Sequence, residues 1–173
     1  MSNAIYPGSF DPITTGHLDI IKRASKIFDA VTVVISNNPN KTNYCFSLLD
    51  RIQFVKDCIA KEGLTNVRIT CNESRLSVDI AKDEGASVII RGVRNMTDFA
   101  YEQNMANVNL SQSSDIETMM MFAKSEYDAV SSSTVRELAK YPESNLKLYV
   151  PLPKIEEALR FKLGVIIPES TNK

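Results

Sequence analysis

The sequence predicts a single-domain α/β protein: a Rossmann-like, doubly wound sheet of about five parallel strands flanked by helices. Three observations carry this expectation. Short apolar runs alternate with amphipathic stretches along almost all of the 173 residues. One of those runs, AVTVVI at 30–35, is continuous and β-branched, as in a strand buried on both faces. Between the runs, apolar residues recur at helical spacing, as crossover helices joining parallel strands require.

Taken in order, the first strand is expected at 4–6. From 15 to 28, Leu18, Ile21, Ala24, Ile27 and Phe28 recur at helical spacing. The second strand covers 30–35, and a polar loop around Pro39 covers 37–43. Residues 48–61 read as a helix with Leu48, Ile52, Val55 and Ile59 on one face. A third strand at 67–71 leads to a short helix near 76–83. Gly85 closes that helix, because glycine accepts the left-handed cap conformation. The fourth strand is SVII at 87–90, followed by a helix at 98–110, and the fifth is ETMMMF at 117–122. Helices at 132–140 and 154–163 complete the order. Residues 1–164 read as one domain. Residues 165–173 read as a frayed tail, polar apart from 165–167.

Composition excludes several classes. The formal net charge is -1, so there is no basic footprint, and nucleic acid is not an expected partner. No apolar run approaches the roughly 20 residues that cross a bilayer. Nor does the N-terminus carry the charged-then-apolar pattern of a secretory leader. The expectation is a cytoplasmic protein with no membrane partner. Cys45, Cys58 and Cys71 are widely spaced and His17 is the sole histidine, which argues against zinc and for reduced thiols.

In a doubly wound sheet, ligands bind beyond the C-terminal strand ends, so the residues standing there matter most. After the first strand comes PGSFDPITTGH. Thr14 or Thr15 can cap the following helix, and Gly16 allows close approach to the backbone. His17 then stands in the first helical turn, where free N–H groups suit phosphate. As residues alone, a phosphate-facing donor and a packed or capping histidine are equally good readings. After the second strand comes Lys41, and after the fourth come Arg91 and Arg94, of which arginine suits bidentate phosphate contact. After the fifth comes the run Ser131-Ser132-Ser133, a capping signal with Glu137 as a candidate capping-box partner and Arg136 within reach of the same ligand. Four strand ends thus carry phosphate-friendly groups, which points to a ligand with several phosphates, such as a nucleoside triphosphate. GxxxxGK[ST], GxGxxG after the first strand and GxSxG are all absent.

Thr14-Thr15-Gly16-His17 resembles the T/H-x-G-H signature of the nucleotidyltransferase superfamily. The stretch 130–136, VSSSTVR, resembles its second signature, I-S-x-T-x-x-R. YPGSFDPIT at 6–14, IRGVR at 90–94 and DFAYE at 98–102 are similar to the bacterial phosphopantetheine adenylyltransferases, from about residue 4 to 163. The resemblance implies adenylyl transfer from ATP to 4'-phosphopantetheine, giving dephospho-coenzyme A and pyrophosphate, with Mg²⁺ carried mainly by the ATP phosphates. It also implies a cytoplasmic homohexamer with coenzyme A as a feedback ligand. His17 would stabilise the transition state, with Lys41 and Arg91 as the other catalytic residues. Ser9, Lys41, Ser77 and Arg91 would bind phosphopantetheine. Ser9, Phe10, His17, Gly92, Val93, Arg94, Glu102, Tyr127, Asp128, Ala129, Val130, Ser131, Ser132 and Ser133 would bind ATP. Ser77 and Ala100 depart from the family's usual apolar residue and glutamate, and SLLDR at 47–51 varies its T-L-E-E-R helix start. Two rivals are another superfamily member, such as a cytidylyltransferase or a nicotinamide-mononucleotide adenylyltransferase, and a nucleotide-binding regulatory module without chemistry.

Overall fold

The structure, a computed structural model, describes residues 2–37 and 43–165. Lys41 and all of the expected tail beyond 165 lie outside the described residues. The chain runs β1 (Asn3–Gly8), α1 (Thr15–Ala24), β2 (Ala30–Ser36), α2 (Leu48–Lys61), β3 (Val67–Asn72) and α3 (Ser77–Asp83). It continues with β4 (Val88–Val93), α4 (Met96–Gln112), β5 (Glu117–Phe122), a 3-10 turn, α5 (Ser132–Leu138) and α6 (Pro153–Lys162). Among the described residues, the strands form one five-stranded sheet of order β3-β2-β1-β4-β5. Every pairing is parallel.

The continuous run in β2 is explained by its position. Val31, Val33 and Ile35 join a core beneath α1, α2 and α6, while Val34 joins a second core with Ile5, Val78 and Ile89 on the other face. Both faces are therefore dry, and hydrophobic burial of roughly 25 cal/mol per Å² of apolar area drives the layers together.

Several boundaries differ from expectation for local reasons. Helix α1 stops at Ala24, with Ser25 as its C-cap, although Phe28 remains buried. Strand β4 continues through Val93 because Arg91, Gly92 and Val93 stay in register with Met120, Met121 and Phe122. Arg91 is thus inside the strand, not beyond it. Helix α4 starts earlier, at Met96, because the Asn95 side chain accepts from the Asp98 amide and acts as N-cap. Glu137 is not the capping-box partner of the serine run. Ser131 takes the Thr134 amide as N-cap, and Glu137 pairs with Lys140 instead. Gly85 does close α3, with a φ of 63°.

The sheet has one opening. Strand β1 pairs with β2 along its whole length, from Asn3↔Ala30 to Gly8↔Ile35. With β4 it pairs only at Ala4↔Val88 and Ile5↔Ile89. Pro7 has no N–H with which to continue that ladder. Its carbonyl accepts a hydrogen bond from Arg91 Nη1 at 3.0 Å. Chain order reverses between β1 and β4, so this gap is the topological switch point of the fold.

Candidate active site

A cavity of about 220 Å³ lies in the gap. Its walls come from Tyr6 to Gly8, from the first turn of α1, from Arg91 to Arg94, from Asp98 and Glu102, and from Tyr127, Val130, Ser131 and the start of α5 at Ser132.

His17 occupies the N3 position of α1. The Thr14 hydroxyl accepts from the His17 amide at 3.3 Å, and the Thr14 amide donates back to His17 Nδ1 at 3.2 Å. This is a capping box with imidazole in place of the usual glutamate or glutamine. Because Nδ1 accepts, the proton of the neutral ring sits on Nε2, which is left for the cavity. Desolvation holds the imidazole pKa down at about 4, with Arg94 and Arg91 adding repulsion. At neutral pH His17 is therefore an uncharged donor. The capping reading is observed at Nδ1, and the ring also lines the cavity.

The ring is steadied from behind. Phe10 packs edge-on against His17, with centroids 5.1 Å apart, and against Tyr6 at 5.5 Å. Phe10 has a φ of 47°, a left-handed conformation that costs a non-glycine residue about 1–2 kcal/mol. A Cβ on Gly8 would lie 3.1 Å from the Phe10 ring, so glycine at 8 leaves the room this turn needs.

The cavity's two guanidiniums are already oriented. Arg91 meets both Glu102 oxygens at 2.6 Å, through Nε and Nη2. Arg94 meets Asp98 through Nε at 2.9 Å and Nη2 at 3.2 Å. Such bidentate pairs fix the plane of the guanidinium, and Nη1 is held as well, by the Pro7 carbonyl for Arg91 and by the Val130 carbonyl at 3.4 Å for Arg94. Burial, chiefly, pushes the Tyr6 phenol well above its usual range.

The serine run contributes less hydroxyl chemistry than its composition suggests. Ser131 caps α5, Ser132 donates to the Pro12 carbonyl at 2.8 Å, and Ser133 accepts from Arg136 at 3.4 Å. Arg136 spends its Nη1 on the Asp11 carbonyl at 2.5 Å. Asp11 is buried, and its carboxylate accepts from the amides of Cys45 and Phe46. The loop leaving β1 is therefore tied to α5 on one side and to the start of α2 on the other.

A cytidylyltransferase-like family model matches residues 5–138. The phosphopantetheine adenylyltransferase of Lacticaseibacillus paracasei is 42% identical over 161 residues, covering 93% of each chain. That of Desulfitobacterium hafniense is 44% identical over 159 residues, covering 92% of this chain and 94% of its own. The chain belongs to the phosphopantetheine adenylyltransferase family. It is a nucleotidyltransferase. Solved structures agree on the fold. A Plasmodium falciparum nicotinic acid mononucleotide adenylyltransferase complexed with NaAD superposes with a TM-score of 0.68 at 16% identity, over 92% of this chain and 95% of its own. A bifunctional NMN adenylyltransferase/ADP ribose pyrophosphatase from Francisella tularensis gives 0.70 at 15%, over 96% of this chain and 51% of its own.

The positions matched to the adenylyltransferase family divide into groups. His17, Arg91, Gly92, Val93, Arg94, Glu102, Tyr127, Val130, Ser131 and Ser132 line the cavity together. Ser9 and Phe10 form the turn that leaves β1, while Asp128 and Ala129 in the loop and Ser133 in α5 are not among the lining residues. Ser77 is the first residue of α3, beyond the end of β3 and outside the cavity. Lys41 lies outside the described residues. Three residues in the cavity wall or beside the loop that leaves β1 were not singled out from sequence. Asp98 holds Arg94, Asp11 holds the loop, and Arg51 is a wholly buried cation beside Ser9. Asp11 and Asp98 stand inside the motifs at 6–14 and 98–102, and Arg51 is an arginine set between Leu48 and Val55 on the apolar stripe of its helix.

Proposed function

We propose that this protein transfers the adenylyl group of ATP to 4'-phosphopantetheine. A phosphate oxygen of the acceptor bonds to the α-phosphorus, the bond from that phosphorus to the bridging oxygen breaks, and pyrophosphate leaves. The single observation that carries this reading is a neutral histidine, with its Nε2 proton free, beside two pre-oriented arginines in the gap between β1 and β4. The acceptor phosphate is already an anion and needs no general base, so catalysis rests on in-line positioning and charge stabilisation with no covalent enzyme intermediate. His17 donates to the oxygens of the α-phosphate as charge builds there. Gly92, Val93, Arg94 and the segment 127–133 bind ATP. Arg91, Lys41, Ser9 and Ser77 hold the acceptor, and Glu102 serves by aligning Arg91.

Mg²⁺ would be carried by the ATP phosphates. Both carboxylates of the cavity, Asp98 and Glu102, are engaged by arginines, which suits an ion whose ligands are phosphate oxygens and water. When bound it neutralises charge on the triphosphate. The enzyme works in the cytoplasm as a homohexamer and takes coenzyme A as a feedback ligand. Assembly is supported by the outer face of α4 and β5, where Tyr101, Met105, Val108 and Phe122 are exposed beside an edge strand.

The deciding experiment is an acceptor panel. Pyrophosphate release is measured with ATP and Mg²⁺ and, in turn, 4'-phosphopantetheine, nicotinamide mononucleotide and a phosphorylated alcohol, with CTP tried in place of ATP. Turnover with 4'-phosphopantetheine and ATP supports the proposal, and turnover only with another pair overturns it. ATP binding without any turnover would make the chain a binding module.

A further inference from the structure

Tyr6 stands near the end of β1 and is only 5% exposed, yet its hydroxyl meets no hydrogen-bond partner among the described residues. A buried tyrosine hydroxyl ordinarily finds one. The ring is a core group, joining the cluster beneath α1 and packing edge-on against Phe10. Its oxygen is not sealed in that core. Among the described residues, the one sealed side-chain polar atom without a partner is Arg51 Nε. Tyr6 lines the cavity between β1 and β4, and the pairing of those strands has already ended at Ile5↔Ile89. A Cβ on Gly92 would lie 3.4 Å from the Tyr6 oxygen and 3.6 Å from Ile20 Cγ1, so glycine at 92 leaves the oxygen uncovered from the side of β4. Burial holds the phenol protonated, so it is available as a donor. The partner it lacks within the protein is therefore supplied by what fills the cavity, whether water or ligand.

Strand geometry places this oxygen in one half of the site. Side chains alternate along a strand. Ile90 belongs to the core beneath α1 and Ile89 to the core on the other face, so Gly92 shares the α1 face with Tyr6. Arg91 turns the other way, to Glu102 of α4. On the α1 side, Phe10 touches both the Tyr6 ring and the His17 ring. We infer that the Tyr6 hydroxyl is a hydrogen-bonding contact for the bound nucleotide, made beside Gly92 on the α1 face of the cavity. The inference rests on the adenylyl-transfer reading, in which His17 and Gly92 serve ATP and Arg91 serves the acceptor, and it gives a role to a residue that reading leaves without one.

The test is Tyr6→Phe, which removes one oxygen and keeps the ring against Phe10. Three quantities are compared with wild type: the Kd for ATP by calorimetry, the KM for 4'-phosphopantetheine at saturating ATP, and the Tm without ligand. The Kd for ATP should rise about fivefold, as loss of one ordinary hydrogen bond does, while the acceptor KM moves less than about twofold. Tm should stay level or rise, because the hydroxyl holds nothing within the protein. An unchanged Kd for ATP overturns the inference. So does a loss for the acceptor as large as the loss for ATP, which would take the hydroxyl out of the nucleotide half. A lower Tm, or failure to fold, overturns it too, since the hydroxyl would then be a structural group. Wild type that binds ATP but does not use 4'-phosphopantetheine removes the acceptor reading alone, because ATP affinity is read without an acceptor. Wild type that binds no ATP removes the functional reading and this inference with it.

Discussion

His17 shows how much one side chain can be asked to do when its two nitrogens face different ways. Nδ1 closes a capping box and Nε2 is left as a donor. His17→Ala should therefore lower kcat about 10²-fold, as loss of one preorganised donor does, while ATP binding measured by calorimetry persists. The pH behaviour follows from the ring's pKa of about 4 in the folded state against 6.5 in the unfolded chain. Below 6.5 the unfolded chain takes up a proton that the folded chain refuses, so stability is full above 6.5 and is lost as pH falls toward 4. Wild-type Tm should fall more steeply across that window than the Tm of His17→Gln, and parallel curves would contradict a neutral, partly buried imidazole. Activity should tell a different story. A phosphate monoester has its second pKa near 6, so an acid limb there belongs to the acceptor. That limb should remain in the residual activity of His17→Gln. Its disappearance would reassign it to the histidine.

At the scale of elements, the site depends on how helices begin. Thr14 supplies both the N-cap of α1 and the amide that fixes the His17 ring. Thr14→Ala should cost about 1 kcal/mol in denaturant-unfolding free energy. Because the backbone amide survives the change, its kcat should fall less than that of His17→Ala. Strand β4 and helix α4 make a second unit, in which Glu102 on the helix holds Arg91 on the strand by two bonds of 2.6 Å. Glu102→Gln turns one of those acceptors into a donor facing a guanidinium. A hydrogen bond to a charged group is worth about 1.5–3 kcal/mol, so kcat/KM should fall at least tenfold with unfolding still cooperative. An unchanged kcat/KM would mean that Arg91 does not depend on its partner.

At the scale of the whole molecule, α4 stands out. It is 17 residues long, and among them only Glu102 is buried. Tyr101, Met105 and Val108 form a stripe along it, 60%, 36% and 48% exposed, beside the edge strand β5 with Phe122 at 64%. A helix of this length gains most of its stability from packing, and this one has little within its own chain. Light scattering should give wild type the mass of an assembly, and Val108→Asp should lower it. A single-chain mass for wild type would overturn the assembly.

Alternating periodicity settled the class of fold, because a strand dry on both faces and helices with one apolar stripe leave few ways to pack. Local chemistry also marked His17, Arg91, Arg94 and the serine run, which line one cavity apart from Ser133, although β4 runs on to Val93 and takes Arg91 into the strand. What periodicity could not supply was which groups meet. Arg91 pairs with Glu102 across 11 residues, and Arg51 reaches Ser9 across 42. The serine hydroxyls, read as phosphate ligands, are consumed by α5 and the Pro12 carbonyl. Hydrogen bonds are short and directional, so their partners exist only once crossovers have brought distant segments within 3 Å or so. The sequence alone therefore determined that cationic and helix-capping groups gather at one end of the sheet. Only the tertiary structure decided which nitrogen of His17 carries the proton, which carboxylates aim the arginines, and where a buried cation meets the turn that leaves β1.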